Sequence, residues 1–402
     1  MHKTPFYAGV LTALTLAACS PGAPERLEAR DGGFVRDGRA AFVVTHFAYA
    51  LGPDTQGTAQ CPNGMSQNVV EIFGETEEGR RRPGEDTQSY SERLQAGGMA
   101  ISAAADGRNY CMHPDIAPED PHTRILSSAE ALAEGLDLDG VNSRSTADQQ
   151  SGLLDFSDGE GRAGIDNQFW RAVGCNRSFQ SDGLSNEFEI TMYTGSWGIL
   201  VTLDDLDDLE NDDHVKVGFY ANADPIQLSP TREALEFATY AMAQDPAYRA
   251  ETTGKITNGV LTTEPVDVRF ENDVNGLMLD RTLKDARVQA QLSEAGVLEG
   301  YLGGYTPVEE LYDFQFGYRS ARLANGELAP VQRRLGTANG AARVLGHTCQ
   351  GAWQSLHRLA DGRRDPETGH FTAISTQYTF EARPAFAVDV ETRGVNEALV
   401  QR

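Results

Sequence analysis

One segment, residues 137–167, gathers the side chains of this sequence that are best suited to chemistry. It is rich in acids and glycines and has no helix or strand pattern long enough to include them. Calcium takes roughly six to eight oxygen ligands from carboxylates, amides and backbone carbonyls. The candidate ligands here are Asp137, Asp139, Asp155, Asp158, Glu160, Asp166 and Asn167.

The spacing of these acids does not follow the EF-hand pattern. Residues 137–142 read Asp-Leu-Asp-Gly-Val-Asn, with asparagine where the EF-hand loop has its glycine, and residues 158–162 place arginine at the fifth position. The segment is therefore either an irregular calcium-binding loop or a solvated acidic loop. A second acidic run, residues 204–213, holds seven acids in ten positions. It is a weaker calcium candidate and is otherwise the tip of a hairpin.

The chain begins with an apolar run from Phe6 to Leu16, shorter than the ~20 residues of a membrane-spanning helix. The run ends in Leu16-Ala17-Ala18-Cys19, which resembles the lipobox of bacterial lipoproteins. This resemblance implies cleavage after residue 18, acylation of Cys19 and attachment to a membrane without spanning it. Ser20 at the second mature position implies the outer membrane. The alternatives are an ordinary cleaved signal peptide and an apolar start that contains a cysteine by chance.

A second resemblance supports the same cell compartment. The residues Gly164-Ile165-Asp166-Asn167, with the glycines and acids before them, are similar to the Asp/Gly/Asn-rich loops of uncharacterised bacterial surface lipoproteins. The similarity implies an envelope-exposed protein and carries no known activity.

Four cysteines remain if Cys19 is acylated: Cys61, Cys111, Cys175 and Cys349. An even number in the cell envelope favours disulfides, and three pairings are open. We expect Cys61 to pair with Cys111 and Cys175 with Cys349, the alternative being four free buried thiols. No CxxC spacing occurs, so the sequence does not indicate a zinc ribbon, a thioredoxin-like redox site or covalent haem.

The composition sets the class of protein and of partner. The 402 residues are 40% hydrophobic, which is typical of a globular protein of two or three domains. The formal net charge is −25, and removal of residues 1–18, which contain Lys3 and no acid, makes it one unit more negative. Such a chain repels nucleic acid, so we expect no nucleic-acid partner.

Sequence motifs for catalysis are absent. The chain contains no GxSxG, HExxH, P-loop or dinucleotide fingerprint, and Gly195-Ser196-Trp197-Gly198 lacks the spacing of a nucleophile elbow. We therefore expect a lipid-anchored envelope protein that binds or scaffolds a ligand or protein the sequence does not identify, with calcium as structural support. The alternatives are an envelope hydrolase whose active site leaves no motif and an accessory subunit of an envelope complex.

Hydrophobic periodicity predicts the elements that must position these residues. Residues 19–38 read as a flexible tether. The predicted strands are 41–49, 188–193, 198–203, 214–220, 266–270, 286–292, 297–302, 371–380 and 384–388. The predicted helices are 128–133, 229–245, 306–324 and 341–360. The expected fold is α+β, dominated by a sandwich-like antiparallel sheet with a helical C-terminal portion, in two domains, 39–225 and 226–402.

Overall fold

The computed structural model describes residues 33–390, except 128, 143–150, 187–188, 195–196, 223, 275–276 and 325–326. Cys19, the apolar run before it and nearly all of the tether therefore lie outside the described residues. Within that part of the chain, the strands are β1 (Ala40–Tyr49), β2 (Phe156–Ser157), β3 (Ala163–Ile165), β4 (Ile199–Asp204), β5 (Asn211–Ala221), β6 (Ala238–Ala241), β7 (Arg249–Thr257), β8 (Val260–Thr263), β9 (Val266–Val274), β10 (Leu277–Leu292), β11 (Leu298–Pro307), β12 (Gly317–Tyr318), β13 (Gln332–Arg333), β14 (Gly362–Arg364) and β15 (Phe371–Val388).

The described chain contains seven α-helices, of which α3, α5 and α7 pack against β15. They are α1 (Val69–Glu75), α2 (Thr87–Ile101), α3 (Gln168–Val173), α4 (Glu189–Tyr193), α5 (Val308–Phe316), α6 (Leu335–Leu345) and α7 (Cys349–Arg358).

One eleven-stranded sheet dominates the fold, with the strand order β1-β4-β5-β7-β8-β10-β11-β15-β14 and with β6 and β9 attached to β15 and β10. Strands β1 and β15 also pair with each other, in the register Phe47 to Phe380, so eight antiparallel strands close into a ring. The predicted α+β fold with a predominantly antiparallel sheet is confirmed. The ring is one continuous sheet closed on itself, with buried apolar residues of its strands in a shared core.

The long strand β15 connects this core to the surface loops. Tyr378 lies on one face, where its ring stacks on Phe47 in the core at 4.6 Å between centroids. The neighbouring Gln377 points to the opposite face, because successive side chains alternate along a strand. There its amide donates to the carbonyls of Leu136 and Asp166 at 3.1 and 2.7 Å. The acidic segment is thereby fixed to the outside of the ring.

The ring takes strands from both of the expected domains. β5 pairs with β7 across the predicted boundary at residue 225, and β1 pairs with β15 from the other end of the chain. The boundary therefore does not separate two sheets.

The helix predicted over residues 229–245 is wrong. Arg232 and Phe237 have φ angles of 68° and 59°, which a right-handed helix cannot include, and β6 pairs in parallel with β15. The strand predicted over residues 188–193 is also wrong, since Glu189–Tyr193 forms α4. In both segments tertiary contacts override the local pattern: Phe237 donates its amide to Pro384, and Tyr193 donates its hydroxyl to Thr45.

The remaining helix predictions need correction in their bounds. The predicted 306–324 helix stops at Phe316, where Gly317 begins β12, and the predicted 341–360 helix is two helices. Gly346 ends α6 in the left-handed region at φ 79°, and Thr348 caps α7 by accepting from the Gly351 amide. The predicted helix at 128–133 is absent from the described residues 129–133. Strand β15 follows these helices, so the C-terminal part is not mainly helical.

Two disulfides are present, but not in the predicted pairing. Cys61 bonds to Cys175 and Cys111 bonds to Cys349. The predicted pairs are wrong because α1 and α2, which the sequence analysis did not identify, lie between Cys61 and Cys111 and send the chain to two different neighbours. Cys61 bonds to Cys175, which follows Gly174, the C-cap residue of α3. Cys111 lies against α5, where Tyr312 donates its hydroxyl to the Cys111 carbonyl at 3.0 Å.

No helix in the described ranges is both long enough and apolar enough to cross a membrane.

Candidate metal centre

Three of the predicted ligands meet on the outer face of the ring. The side-chain oxygens of Asp137, Asp139 and Asp166 lie within 4.8 Å of one another. Asp166 is buried and the other two aspartates are exposed, so the cluster is open to solvent on the side of Asp137 and Asp139. The first two lie in the segment before residues 143–150, and the third directly follows β3.

Backbone hydrogen bonds hold the two segments together. The Asp166 amide donates to the Leu136 carbonyl at 3.0 Å, and Oδ2 of Asp166 accepts from the Leu138 amide at 2.7 Å. Oδ1 of Asp137 accepts from the amide of Gly140, whose φ of 79° gives the tight turn that this bond requires. One oxygen of Asp137 and one of Asp166 therefore fix the loop through backbone amides.

Strands β11 and β15 form the floor of the site. The buried Gln377 amide donates to the carbonyls on either side of the cluster, those of Leu136 and Asp166. Gly303 lies directly across from Gln377 in the register of β11 and β15. A Cβ at Gly303 would come within 2.0 Å of the Gln377 Oε1, so only glycine leaves room for this amide. The sequence analysis identified neither residue.

The cluster is electrostatically strained without a cation. Burial raises the pKa of Asp166 to about 9, against hydrogen bonding from the Leu138 amide, and the charges of Asp139, Asp361 and Asp155 raise it further. Asp361, which lies between α7 and β14, has its pKa raised to about 7 by burial and by Asp139, although it accepts from the Ser375 amide at 2.7 Å. A bound cation would offset both the free-energy cost of burying these carboxylates in their charged form and their mutual repulsion.

A positively charged side chain, that of Arg287, lies beside the cluster. Arg287 donates from Nη1 to the Leu138 carbonyl, between the two exposed aspartates in sequence. It faces Tyr305, whose pKa is raised by burial and by Asp166, Asp361 and Asp139 and is lowered by Arg287. A single guanidinium does not balance four carboxylates in the same neighbourhood.

The other predicted ligands are placed elsewhere. Asp158 pairs with Arg162 at 2.6 Å, in the hairpin of β2 and β3, where Glu160 is exposed. Asp155 is buried near Arg171, whose pKa burial lowers to about 10 while the Asp155 charge raises it. The Asn167 amide donates to the Ala50 carbonyl at 2.6 Å, and its Oδ1 caps α3 by accepting from the Trp170 amide. These contacts hold Asp155, Asp158 and Asn167 outside the cluster, and Glu160 is exposed to solvent.

The second acidic run forms the turn between β4 and β5, as predicted for a hairpin tip. Its carboxylates accept from their own backbone: Oδ2 of Asp212 accepts from the Asp207 amide at 2.7 Å, and Oδ1 of Asp208 accepts from the Glu210 amide at 2.7 Å. Within the described residues, this tip brings no three ligand atoms together as the aspartate cluster does.

The ligand atoms of the cluster are all carboxylate oxygens, which suits the hard cations Ca²⁺ and Mg²⁺ and not zinc, since zinc favours cysteine and histidine ligands. Three carboxylates supply three to six of the oxygens, and backbone carbonyls and water supply the rest. Because calcium accepts irregular geometry more readily than magnesium, a cluster from two separate loops favours calcium. Comparisons of this chain with protein-family models, with curated proteins and with solved structures find no match.

Proposed function

We propose that this protein is a lipid-anchored component of a bacterial cell envelope, with a binding or scaffolding role and a calcium ion that stabilises it. The observation that carries the calcium part is the convergence of Asp137, Asp139 and Asp166 on the outer face of the ring. The anchor rests on the resemblance of Leu16-Ala17-Ala18-Cys19 to a lipobox, which also implies the outer membrane. The two disulfides suit that compartment, since disulfides form in oxidising environments.

The calcium would act by joining two parts of the chain. Asp137 and Asp139 lie in the segment before residues 143–150, and Asp166 lies in the segment after them. An ion bound to all three carboxylates joins the two segments and offsets the burial and the mutual repulsion that raise the pKa of Asp166 and Asp361. Binding to the folded state alone stabilises it by mass action. The role is structural, and the partner is recognised elsewhere on the surface.

Thermal unfolding tests the proposed calcium site. At a free calcium concentration a hundredfold above Kd, the free energy of unfolding should rise by about 2.7 kcal/mol over the value in chelator. The double variant Asp139→Asn with Asp166→Asn should lose this calcium-specific rise. Glu160→Gln is the matched control, since it removes a carboxylate of the same segment that lies outside the cluster, and it should keep the rise.

Sodium chloride at equal ionic strength separates binding from screening, because screening does not distinguish between salts. If calcium raises the melting temperature no more than sodium does, and the purified protein contains no divalent metal, the calcium site does not exist.

Cell fractionation tests the anchor. Replacing Cys19 by serine removes the thiol that the acyl chains require, so the variant should move from the membrane pellet to the soluble fraction. The mass of the parent should exceed that of its peptide chain from Cys19 onward by the mass of the acyl groups. Cys61→Ser is not a suitable control, because it breaks a disulfide; Ser20→Ala leaves the thiol in place and should stay in the pellet. A Cys19→Ser protein that remains in the pellet with the parent's mass would refute the anchor.

A hydrolase is the second candidate, and one observation favours it. Carboxyl groups with raised pKa values, such as those of Asp166 and Asp361, are also suited to acid catalysis. A cavity of about 350 Å³ in the same segment is lined by Asp155 and Asn142 and not by these two residues, which weakens the hydrolase hypothesis. Hydrolysis of a substrate panel that Asp361→Asn abolishes would favour it over the structural role.

A further inference from the structure

A cleft of about 600 Å³ opens where the two ends of the described chain meet. Phe34 and Ala41 line one wall at the start of β1, and Phe386 and Val388 line the other at the end of β15. We call it the terminal cleft. Eight of its fourteen lining residues are apolar. Val388 in the wall is 38% exposed, and beyond the rim Phe237, which is 42% exposed, lies with its ring 6.2 Å from that of Phe386.

Charges inside the terminal cleft are balanced. Arg39 pairs with Asp204 at 3.1 Å, and Asp389 pairs with Arg249 at 2.8 Å. Arg36 places its guanidinium 4.7 Å from the centre of the Phe386 ring. The walls therefore offer a ligand mainly apolar contact, and the cleft by itself does not select for the charge of an occupant.

The acidic tip, residues 204–213, adjoins this cleft. Asp204 lines the cleft and begins the tip, and the Leu206 amide donates to the Gly38 carbonyl at 2.9 Å, which fixes the tip beside the start of β1. Five of its acids are exposed, and none of the five forms an ion pair with a described residue: Asp205, Asp207, Asp208, Glu210 and Asp213. A strongly negative surface therefore lies beside an apolar cleft whose own charged residues balance one another.

We infer that the terminal cleft and the acidic tip together bind a cationic amphipathic segment of a partner protein, with its apolar side chains in the cleft and its lysines or arginines against the tip. This inference rests on the binding role proposed above and names the class of partner. Complementary charge steers the association, and burial of apolar side chains supplies affinity that screening by salt does not remove. The acidity of the tip argues against an anionic membrane surface as the occupant.

Peptide titration tests the surface in the mature chain, residues 19–402, with Cys19→Ser, which keeps every described residue and lacks both the apolar run and the acylated thiol. The probe is a fluorescent peptide of leucines and lysines at helical spacing, and two comparison peptides replace lysine by glutamate or leucine by serine. The leucine–lysine peptide should bind at least about tenfold more tightly than either, since only it satisfies both the cleft and the tip.

Variants locate the binding surface. Asp205→Asn with Asp207→Asn and Asp213→Asn should weaken the leucine–lysine peptide about tenfold, and most strongly at low salt. Thr239→Trp, at an exposed position that lines the cleft, should obstruct it and weaken binding to a similar extent; Ala387→Trp is a second obstruction if the first does not fold. Glu77→Gln with Glu78→Gln and Glu92→Gln removes three acids in α2 and the loop before it, and should bind as the parent does.

Two results would overturn the inference. One is an equal loss in the Glu77, Glu78 and Glu92 control, which would mean that only the overall charge matters. The other is unchanged binding in both cleft variants, which would mean that the cleft takes no part. Neither result bears on the anchor or on the calcium, because the same variants should still respond to calcium in a melt. Conversely, loss of the calcium effect in the parent leaves the peptide result standing.

Discussion

Replacing Cys111 and Cys349 together by serine should lower the free energy of unfolding by about 4–5 kcal/mol. The disulfide joins residues 238 positions apart and so removes a large loop-closure entropy from the unfolded chain. Both sulfurs are buried, between the segment after α2 and the start of α7, so the serine hydroxyls would also lack the contacts that water gives them. Urea unfolding without reductant measures the loss.

The other disulfide is the matched comparison. Cys61 and Cys175 are 114 positions apart, so their replacement should cost less by about 0.6 kcal/mol, the entropy of one doubling of loop length. Peptide mapping of the unreduced protein should recover Cys61 linked to Cys175 and Cys111 linked to Cys349. A loss below about 1 kcal/mol in the Cys111 and Cys349 variant, or four thiols that react with alkylating agent before reduction, would contradict the prediction.

Strand prediction succeeded where alternation was regular and the partner was close in sequence. The β10 and β11 hairpin and the β4 and β5 hairpin follow directly from their apolar and polar periods. Ring closure was not predictable, because the pairing of Phe47 with Phe380 joins strands from opposite ends of the chain and leaves no local signal. The same applies to β6, whose parallel pairing with β15 overrides a serine-proline helix start at residues 229–230.

Short helices were missed although their caps are visible. Asn68 and Glu71 form a capping box at the start of α1, and Asp86 caps α2 by accepting from the Ser89 amide. Their apolar faces are weak, since Val69 is the buried residue of α1 and Gly98 that of α2. Periodicity therefore gave no signal, whereas the N-cap residues did.

The candidate site was predicted in part. The acids at 137, 139 and 166 were identified by residue type, but their selection from seven candidates depends on contacts that composition does not show. Asp158 lies four residues before Arg162, and the two side chains form an ion pair across the turn between β2 and β3. Asp361 and Gln377 come from a distant part of the chain, and only the closed ring brings them to the loop.

The metal-free protein should lose stability as the pH rises from 7 to 9, and Asp166 should be the cause. Burial raises the pKa of Asp166 from 3.8 to about 9, so in this interval the folded state keeps a proton that the unfolded chain has already released. Stability then falls by about 1.4 kcal/mol per pH unit for this one group. Over the two units the loss is roughly 2–3 kcal/mol.

The chosen pH interval separates Asp166 from the other buried groups. Burial lowers the pKa of His347 to about 4, so its destabilising effect is confined to pH values below its ordinary pKa of 6.5. Asp361, with a pKa raised to about 7, contributes little to the slope above that pH.

The free energy of unfolding is measured by urea unfolding in chelator at pH 7, 8 and 9. It should fall with pH in the parent and fall less steeply in Asp166→Asn, whose amide oxygen can still accept from the Leu138 amide. Calcium should remove most of the pH dependence in the parent, because the bound ion stabilises the ionised form of Asp166 in its buried position. An identical pH slope in the parent and in Asp166→Asn would show that Asp166 ionises normally and that the cluster does not need a cation.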